Sequence, residues 1–396
     1  MQKVTFVIPS RNNLEFLQLA YKSIRDLKTR HEVLVLDDAS TDGTSEWITS
    51  LNDKDLITYV NPGPERIGIV GMFDKGIEMS RTDIIFAFHA DMIAGPNLDT
   101  NILKHLERGT VVSATRIEPS LHPAGPEKII RDWGIEVEEI NYDQVVSSIE
   151  QLEDLNKGKT TEGIFAPWCM YKEDFLAIGG HDELFAPQSK EDSDIFNRFV
   201  LNGYKVIQSW DGLVYHFTSR GSRFNKHAGG AAGQNSNEWI QTTTKNGKEF
   251  IRKWGHFIKH DALMKPIIPP KYNIAFVIKH CTAGFLEAFE PYCDRIYIED
   301  TMQVLTIDYI EKEQKNTSFD LSKRIHTIEF NDPQIENDIV VEFDAKEFTQ
   351  QSLNIINQLP EIIQESGEVG EFELDIFKIT IHSLTEYQND LIICKN

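Results

Sequence analysis

Cysteine and basic residues are scarce in this chain, and long apolar runs are missing. Its four cysteines form no CxxC pair and no zinc-ligand spacing, which fits a reducing compartment: Cys169, Cys281, Cys293 and Cys394. Only 40 lysines and arginines stand against 62 aspartates and glutamates, and the net charge of −22 argues against a general nucleic-acid binder, which needs a basic face. No run reaches the roughly 18 apolar residues of a membrane-spanning helix. The opening residues enter a strand at once and lack a signal peptide's apolar core, so we expect a cytoplasmic protein with at most peripheral membrane contact.

The first part of the chain alternates strand-like and helix-like segments. Four short apolar runs are typical of strands buried on both faces: VTFVIPS, EVLVLDDAS, LITYVNPG and TDIIFAFHAD. Between the first two runs, apolar residues recur at helical spacing, as Leu14, Leu17, Tyr21 and Ile24 do. Strands that alternate with helices predict an α/β fold, with a mostly parallel sheet covered on both faces.

Polar residues follow three of these predicted strands. They are Pro9–Asn12, Asp37–Asp38 and His89–Asp91. In a parallel sheet, ligands bind beyond the carboxyl ends of the strands, so these residues are expected to share one crevice. A simpler interpretation, in which each strand end merely meets water, suits any one of them better than all three.

The composition predicts three parts along the chain. Residues 1–225 form the predicted catalytic domain. Residues 226–270 combine a loop rich in glycine, serine and asparagine with a basic helical linker that ends in KPIIPPK. Residues 271–396 are acidic and predict a smaller C-terminal α/β domain of unknown role, with a helix near Phe348–Gln364.

Four motifs in the first 225 residues carry a resemblance to a known family. They are VTFVIPSRNN with EVLVLDDASTDGT, SRTDIIFAFHADMIAGPNL, AIGGHDELFAPQSKEDSDIFNRFVLNGYKV and VYHFTSRGS. In this order they resemble family 2 glycosyltransferases, whose nucleotide-sugar-binding fold is the Rossmann-like GT-A fold. The stretch GMFDKG departs from the family's usual Ala-Arg-Asn-x-Gly, because Asp74 stands where asparagine is usual and no arginine precedes it. That departure puts the usual helix contacts to the donor in doubt.

The carboxylates of Asp37 and Asp38 are suited to accept hydrogen bonds from a base N–H and from ribose hydroxyls. The alternative, a helix cap and a turn residue, explains one of the two better than both. The resemblance implies that Pro9, Asn12 and the aspartate pair bind the donor and that its nucleotide is uridine diphosphate.

A diphosphate leaving group calls for a hard divalent cation. Residues two apart in a strand face the same way, so His89 and Asp91 could contact one ion. The resemblance implies that Asp91 and His216 bind the metal, Mn²⁺ or Mg²⁺, while His89 replaces the family's first aspartate. An imidazole there suits Mn²⁺ better than Mg²⁺. Hydrogen bonding of His89 to ribose or phosphate, and a structural role for His216, stay open.

Sugar transfer with inversion also needs a base that takes the proton of the acceptor hydroxyl. The acidic run KEDSD provides Glu191, Asp192 and Asp194, although acidic residues are also typical of a helix N-terminus. The resemblance implies that Asp192 is the base. Weaker candidates are Trp168 for stacking on a sugar, with a core position equally compatible, and Arg66, Arg220 and Arg223 for phosphate.

Together these features predict an inverting, metal-dependent hexosyl- or N-acetylhexosaminyltransferase. Its donor is a nucleotide-sugar, with a UDP-sugar favoured, and its acceptor a glycan or lipid-linked glycan. Two alternatives remain, a catalytically inactive nucleotide- or glycan-binding scaffold and a sugar nucleotidyltransferase. The second is expected to have a glycine-rich loop after the first strand, and IPSRNNLEF has no glycine. Oligomerisation through the C-terminal domain also stays open.

Overall fold

The computed structural model describes residues 2–329 and 335–394. Two compact units divide the chain. The first contains residues 1–243, 260–267 and 393–396, and the second contains residues 244–259 and 268–392. The predicted three-part division at residues 225 and 270 stays a prediction.

The first unit is built on a ten-stranded mixed sheet. Eight strands follow the order β3-β2-β1-β4-β9-β6-β10-β5, with β7 beside β6 and β8 beside β10. The strands are β1 Thr5–Ser10, β2 Glu32–Asp38, β3 Leu56–Asn61, β4 Ile84–Ala87, β5 Met92–Ala94, β6 Thr110–Glu118, β7 Ile129–Ile130, β8 Thr160–Thr161, β9 Trp168–Tyr171 and β10 Lys205–His216. Strands β1 to β4 pair in parallel, whereas β9 and β5 run antiparallel to their neighbours. The predicted α/β class with a mostly parallel sheet is confirmed.

Helices connect and cover these strands. They are α1 Leu14–Arg25, α2 Thr44–Ser50, α3 Ile69–Met79, α4 Leu98–Leu103, α5 Tyr142–Leu155, α6 Lys172–Ala177, α7 Glu191–Leu201 and α8 Asn237–Trp254, which crosses the division between the units. Helix α1 shows why the pattern folds this way, because Leu17, Ala20 and Ile24 lie on one face and are buried against the sheet. In that core the rings of Phe6 and Phe86 stack with centroids 4.9 Å apart.

Strand register brings distant residues to the carboxyl edge of the sheet. Strand β10 pairs antiparallel with β5, and His216 lies opposite Met92. The N–H of Phe217 then donates to the carbonyl of Asp91 at 3.0 Å. Residues near 90 and near 216 therefore meet where β10 ends.

The second unit has its own six-stranded sheet, ordered β13-β12-β11-β14-β16-β15. Its strands are β11 Ile274–Lys279, β12 Arg295–Glu299, β13 Ile325–Ile328, β14 Ile339–Asp344, β15 Gly370–Leu374 and β16 Phe377–Ile381. Its helices are α9 Ala283–Phe289, α10 Gln303–Glu313, α11 Gln350–Asn357 and α12 Leu359–Ser366. The first four strands in space are parallel, and a C-terminal hairpin extends the sheet. A second, α/β unit is thus confirmed.

Two local predictions need correction. The single helix expected near Phe348–Gln364 is two helices, α11 and α12, because Pro360 has no N–H for a helix interior and lies at the start of the second. The stretch His89–Asp91 is not a strand, since β4 ends at Ala87 and β5 begins at Met92. Within the part of the chain that the structure describes, no helix is both long and apolar enough to cross a membrane.

Candidate functional site

A cleft of about 270 Å³ opens at the carboxyl edge of the first unit's sheet. Seven of the main candidates from the sequence line it: Pro9, Asp38, His89, Asp91, Glu191, Asp192 and His216. The ends of β1, β2 and β10, the β4–β5 connection and the start of α7 supply them. The fold therefore collects the candidates for donor binding, metal binding and proton transfer in one place.

Three side chains in this cleft have the composition of a metal site. Ligand atoms of His89, Asp91 and His216 all lie within 4.8 Å of one another. His216 Nε2 lies 3.6 Å from Asp91 Oδ2, which also accepts the backbone N–H of Arg220 at 2.7 Å. Two imidazoles and one carboxylate suit Mn²⁺ and related transition ions, so the residues present fit the predicted cofactor.

Mutual charge sets the protonation of this group. Burial alone would raise the pKa of Asp91, but the charge and hydrogen bond of His216 lower it to about 2. Burial alone would lower the pKa of His216, but Asp91 and Glu118 raise it to about 9. Burial also lowers the pKa of His89. The carboxylates around His216 thus favour positive charge at this site. A divalent cation can supply that charge in place of the proton on His216.

Sequence reasoning missed Glu118, which lies behind His216. Its Oε1 is 2.8 Å from His216 Nδ1 and accepts from Arg116 Nη1 at 3.0 Å, and its Oε2 accepts from Lys128 Nζ at 3.0 Å. Although Glu118 is buried, the charge of Arg116 and the contact with His216 hold its pKa well below the usual range. A signal was present in TRIEPS, where two charged residues alternate within a strand whose every residue is buried.

The two aspartates after β2 take different positions. Asp38 lines the cleft, and its carboxylate accepts the backbone N–H groups of Ile67 and Gly68, each at 2.8 Å. Asp37 is fully buried and accepts hydrogen bonds from Ser40 and Ser45 in the following turn. Only Asp38 therefore faces the space where a nucleotide would lie.

Asn12 lies in the turn beside them and lines a second pocket. Its Oδ1 accepts the backbone N–H of Thr41 at 2.7 Å. This bond ties the loop after β1 to the loop after β2, so Asn12 supports the shape of the cleft from outside it.

The acidic start of α7 also separates into different environments. Glu191 and Asp192 line the cleft, and burial together with the charge of Asp192 raises the pKa of Glu191 to about 8. Asp194 is fully buried and accepts from Arg198 Nε at 2.8 Å. Burial and the neighbouring charge thus favour the protonated form of Glu191, and Asp194 is engaged in a structural ion pair. Of the three carboxyl groups, Asp192 stays the predicted base.

Two arginines that line the cleft face a common carboxylate. Glu238 Oε1 lies 2.7 Å from Arg66 Nη1 and 3.4 Å from Arg11 Nη1. The next residue, Trp239, also lines the cleft. The start of α8 therefore contributes both an aromatic face and a negative charge to the site, and the sequence analysis had placed neither there.

Of the four weaker candidates, Arg66 lines the cleft and the other three lie outside its lining. Trp168 is 1% exposed in β9 and contacts Phe175, so protein covers its ring. Arg220 forms an ion pair with Glu136. Arg223 donates to the side chain of Asn235 at 2.5 Å. Stacking of a sugar on Trp168 would require the sheet itself to open.

Four buried polar atoms in the cleft lining have no hydrogen-bond partner. They are Ser10 Oγ, Arg11 Nε, Asn13 Nδ2 and Glu191 Oε2. An unpaired buried polar group costs about 1–3 kcal/mol, and most such groups in native proteins find a partner. Their concentration here indicates that the cleft is built for a polar ligand.

The chain is similar to known proteins in sequence and in structure. Residues 5–173 match the family model for glycosyl transferase family 2, and residues 154–225 match that for chondroitin N-acetylgalactosaminyltransferase. An undecaprenyl-phosphate mannosyltransferase of Micrococcus luteus is 28% identical over 120 residues, which are 30% of this chain and 49% of that protein. This chain thus spans about half the length of the curated relative that it matches.

Several solved structures are similar at low identity. GalNAc-T7 with UDP, GalNAc and Mn²⁺ matches with a TM-score of 0.41 and 14% identity, over 54% of this chain and 43% of that one. The mannosyltransferase PcManGT from Pyrobaculum calidifontis with GDP-Man and Mn²⁺ matches with a TM-score of 0.38 and 19% identity, over 54% and 56% of the two chains. TarS 1–349 of S. aureus matches with a TM-score of 0.41 and 13% identity, over 55% and 61%.

Proposed function

We propose that this chain, whose residues 5–173 match the family model for glycosyl transferase family 2, transfers a sugar from a UDP-sugar to a hydroxyl acceptor. One observation carries the proposal. The metal-type group, which consists of His89, Asp91 and His216, lines the same cleft as Asp38 and the acidic start of α7. A nucleotide-sugar needs these three features within its own length, because its base, its diphosphate and its anomeric carbon are all recognised.

Each feature has a role in the proposed reaction. Asp38 accepts hydrogen bonds from the nucleoside, and His89, Asp91 and His216 hold the divalent ion. That ion, when bound, neutralises the developing charge on the diphosphate. Asp192 takes the proton of the acceptor hydroxyl while its oxygen bonds to the anomeric carbon and the bond from that carbon to the diphosphate breaks. A single displacement of this kind inverts the configuration of the sugar, and UDP leaves.

The sugar and the acceptor are proposed at the level of class. The names of the matched proteins include mannosyl and N-acetylgalactosaminyl transfer, which supports a hexosyl or N-acetylhexosaminyl group. The relative from Micrococcus luteus is named for a lipid phosphate acceptor, which supports a lipid-linked acceptor here as well as a glycan. A lipid-linked acceptor would bring the reaction to a membrane surface.

A thermal-shift panel tests the proposal without knowledge of the acceptor. The protein is heated with UDP, GDP or CDP, each with Mn²⁺ or with EDTA. Ligand at 100 times its Kd adds about 2.7 kcal/mol to the free energy of unfolding, or roughly 5–11 °C for a unit of this size. We expect this shift for UDP with Mn²⁺, and slow Mn²⁺-dependent UDP release from one UDP-sugar. No shift with any nucleotide diphosphate at saturating Mn²⁺ would refute the proposal.

A further inference from the structure

We propose that Glu118 is a positioning residue that turns His216 so that its Nε2 faces the metal position. The inference rests on the proposed function, because it concerns the ion that His216 would hold. Glu118 lies at the end of β6, and none of the four sequence motifs includes it.

Strand pairing brings the two residues together. Strands β6 and β10 run parallel, and Ile117 lies opposite Tyr215, so the next residue in each strand is Glu118 and His216. The side chains meet 98 residues apart in sequence, with Glu118 Oε1 2.8 Å from His216 Nδ1. On the far side of the ring, His216 Nε2 lies 3.6 Å from Asp91 Oδ2. The imidazole therefore spans from Glu118 to the metal-type group.

The carboxylate decides which nitrogen is left for the ion. An ionised carboxylate only accepts hydrogen bonds, so a neutral His216 must carry its proton on Nδ1 and present its lone pair on Nε2. Carboxylate–histidine pairs of this kind orient metal ligands in many proteins, and loss of the partner costs about 10–100-fold in metal affinity.

Two cations hold Glu118 in this orientation. Arg116 donates to Oε1 and Lys128 donates to Oε2, each at 3.0 Å, while Glu118 is 1% exposed. The guanidinium of Arg116 in turn lies over the ring of Phe165, 3.6 Å from its centroid. Because both oxygens accept hydrogen bonds, the carboxylate cannot rotate freely. Its hydrogen bond to His216 therefore fixes the orientation of the imidazole ring.

A purely structural role of Glu118 predicts a different effect of its replacement on Mn²⁺ binding. Glu118 could serve only to neutralise Arg116 and Lys128, since an uncompensated buried charge is costly. Glu127 provides the matched control, because its Oε1 lies 3.9 Å from both cations, whereas Glu118 is the one of the two that accepts the hydrogen bond of His216. A role in charge balance alone would make the two glutamates similar in effect.

The test measures Mn²⁺ binding to the full chain without nucleotide, by the loss of the free Mn²⁺ signal in electron paramagnetic resonance. We expect Glu118→Ala to weaken binding about 10–100-fold. Glu118→Gln should weaken it less, because its amide oxygen can still accept from Nδ1–H. Glu127→Gln should stay within about twofold of the wild type.

Pulsed spectra of bound Mn²⁺ provide a second readout, because they count the coordinating imidazole nitrogens. Wild type should show two and Glu118→Ala one. If the alanine variant does not fold, the Mn²⁺ affinity of Glu118→Gln, expected below that of Glu127→Gln, provides the test. Unchanged affinity and two nitrogens in the Glu118 variants would overturn the inference, as would an equal loss in Glu127→Gln. A wild-type protein that binds no Mn²⁺ would instead overturn the proposed metal dependence, and the inference with it.

Discussion

Replacing Asp192 by asparagine should separate catalysis from binding. The change keeps the size of the side chain but removes the oxygen that accepts the acceptor's proton. General-base catalysis contributes about 10²–10⁴-fold, which corresponds to about 2.7–5.4 kcal/mol in the activation free energy. Sugar transfer should fall by that factor, while UDP affinity should stay within a few-fold because the metal-type group and Asp38 are untouched.

The stability of the same variant tests the competing explanation. Asp192 lies in the first turn of α7, where a carboxylate interacts with the helix dipole by about 0.3–1 kcal/mol. The matched control is Asp194→Asn, which leaves the buried Arg198 without its charge partner and should cost up to about 3–5 kcal/mol of stability. Its turnover per folded molecule should stay near normal.

Turnover, UDP affinity and melting temperature are measured for both Asp192→Asn and Asp194→Asn. Near-normal transfer by Asp192→Asn would refute the assignment of the base. A loss of UDP affinity as large as the loss of turnover would place Asp192 in donor binding instead.

Three further outcomes follow from the geometry of the cleft. Glu238→Gln should raise UDP affinity about 1.4–5-fold in calorimetry, because it releases Arg66 from an ion pair worth about 0.2–1 kcal/mol. Limited proteolysis within residues 219–237 should slow when UDP and Mn²⁺ are added, since closure of that glycine-rich loop would exclude water from the donor. Because the folded pKa of Glu191 is raised to about 8, its contribution to stability is present below about pH 4.5 and is lost as the pH rises through 8. The fall in unfolding free energy over that window should therefore be smaller in Glu191→Gln.

The sequence predicted the local elements that lead to the cleft because their signals are local. Apolar runs ending in Asp38 and near His89 marked the strands, and the acidic run before Ile195 marked the start of α7. The order of the motifs then carried the resemblance to family 2 glycosyltransferases, whose model matches residues 5–173. These features need only the neighbours of a residue in the chain, and so a single sequence displays them.

What the sequence could not supply depends on pairing between distant segments. Glu118 reaches His216 only because β6 pairs with β10, and Glu238 meets Arg11 across 227 positions. The burial of Trp168 could not be predicted from the sequence for the same reason. Its ring is covered because β9 lies between β4 and β6 in the sheet. Non-local sheet register is not encoded in the apolar pattern of any one strand.

The most direct test of the account is a calorimetric titration of UDP into the wild type and into Asp91→Ala, with Mn²⁺ and with EDTA. Asp91 supplies the one carboxylate of the group of three side chains, so its removal takes a formal negative charge from the ion's ligands. We predict that Mn²⁺ strengthens UDP binding at least tenfold in the wild type and has no such effect in Asp91→Ala. Equal, Mn²⁺-dependent UDP affinity in the two proteins would contradict the account.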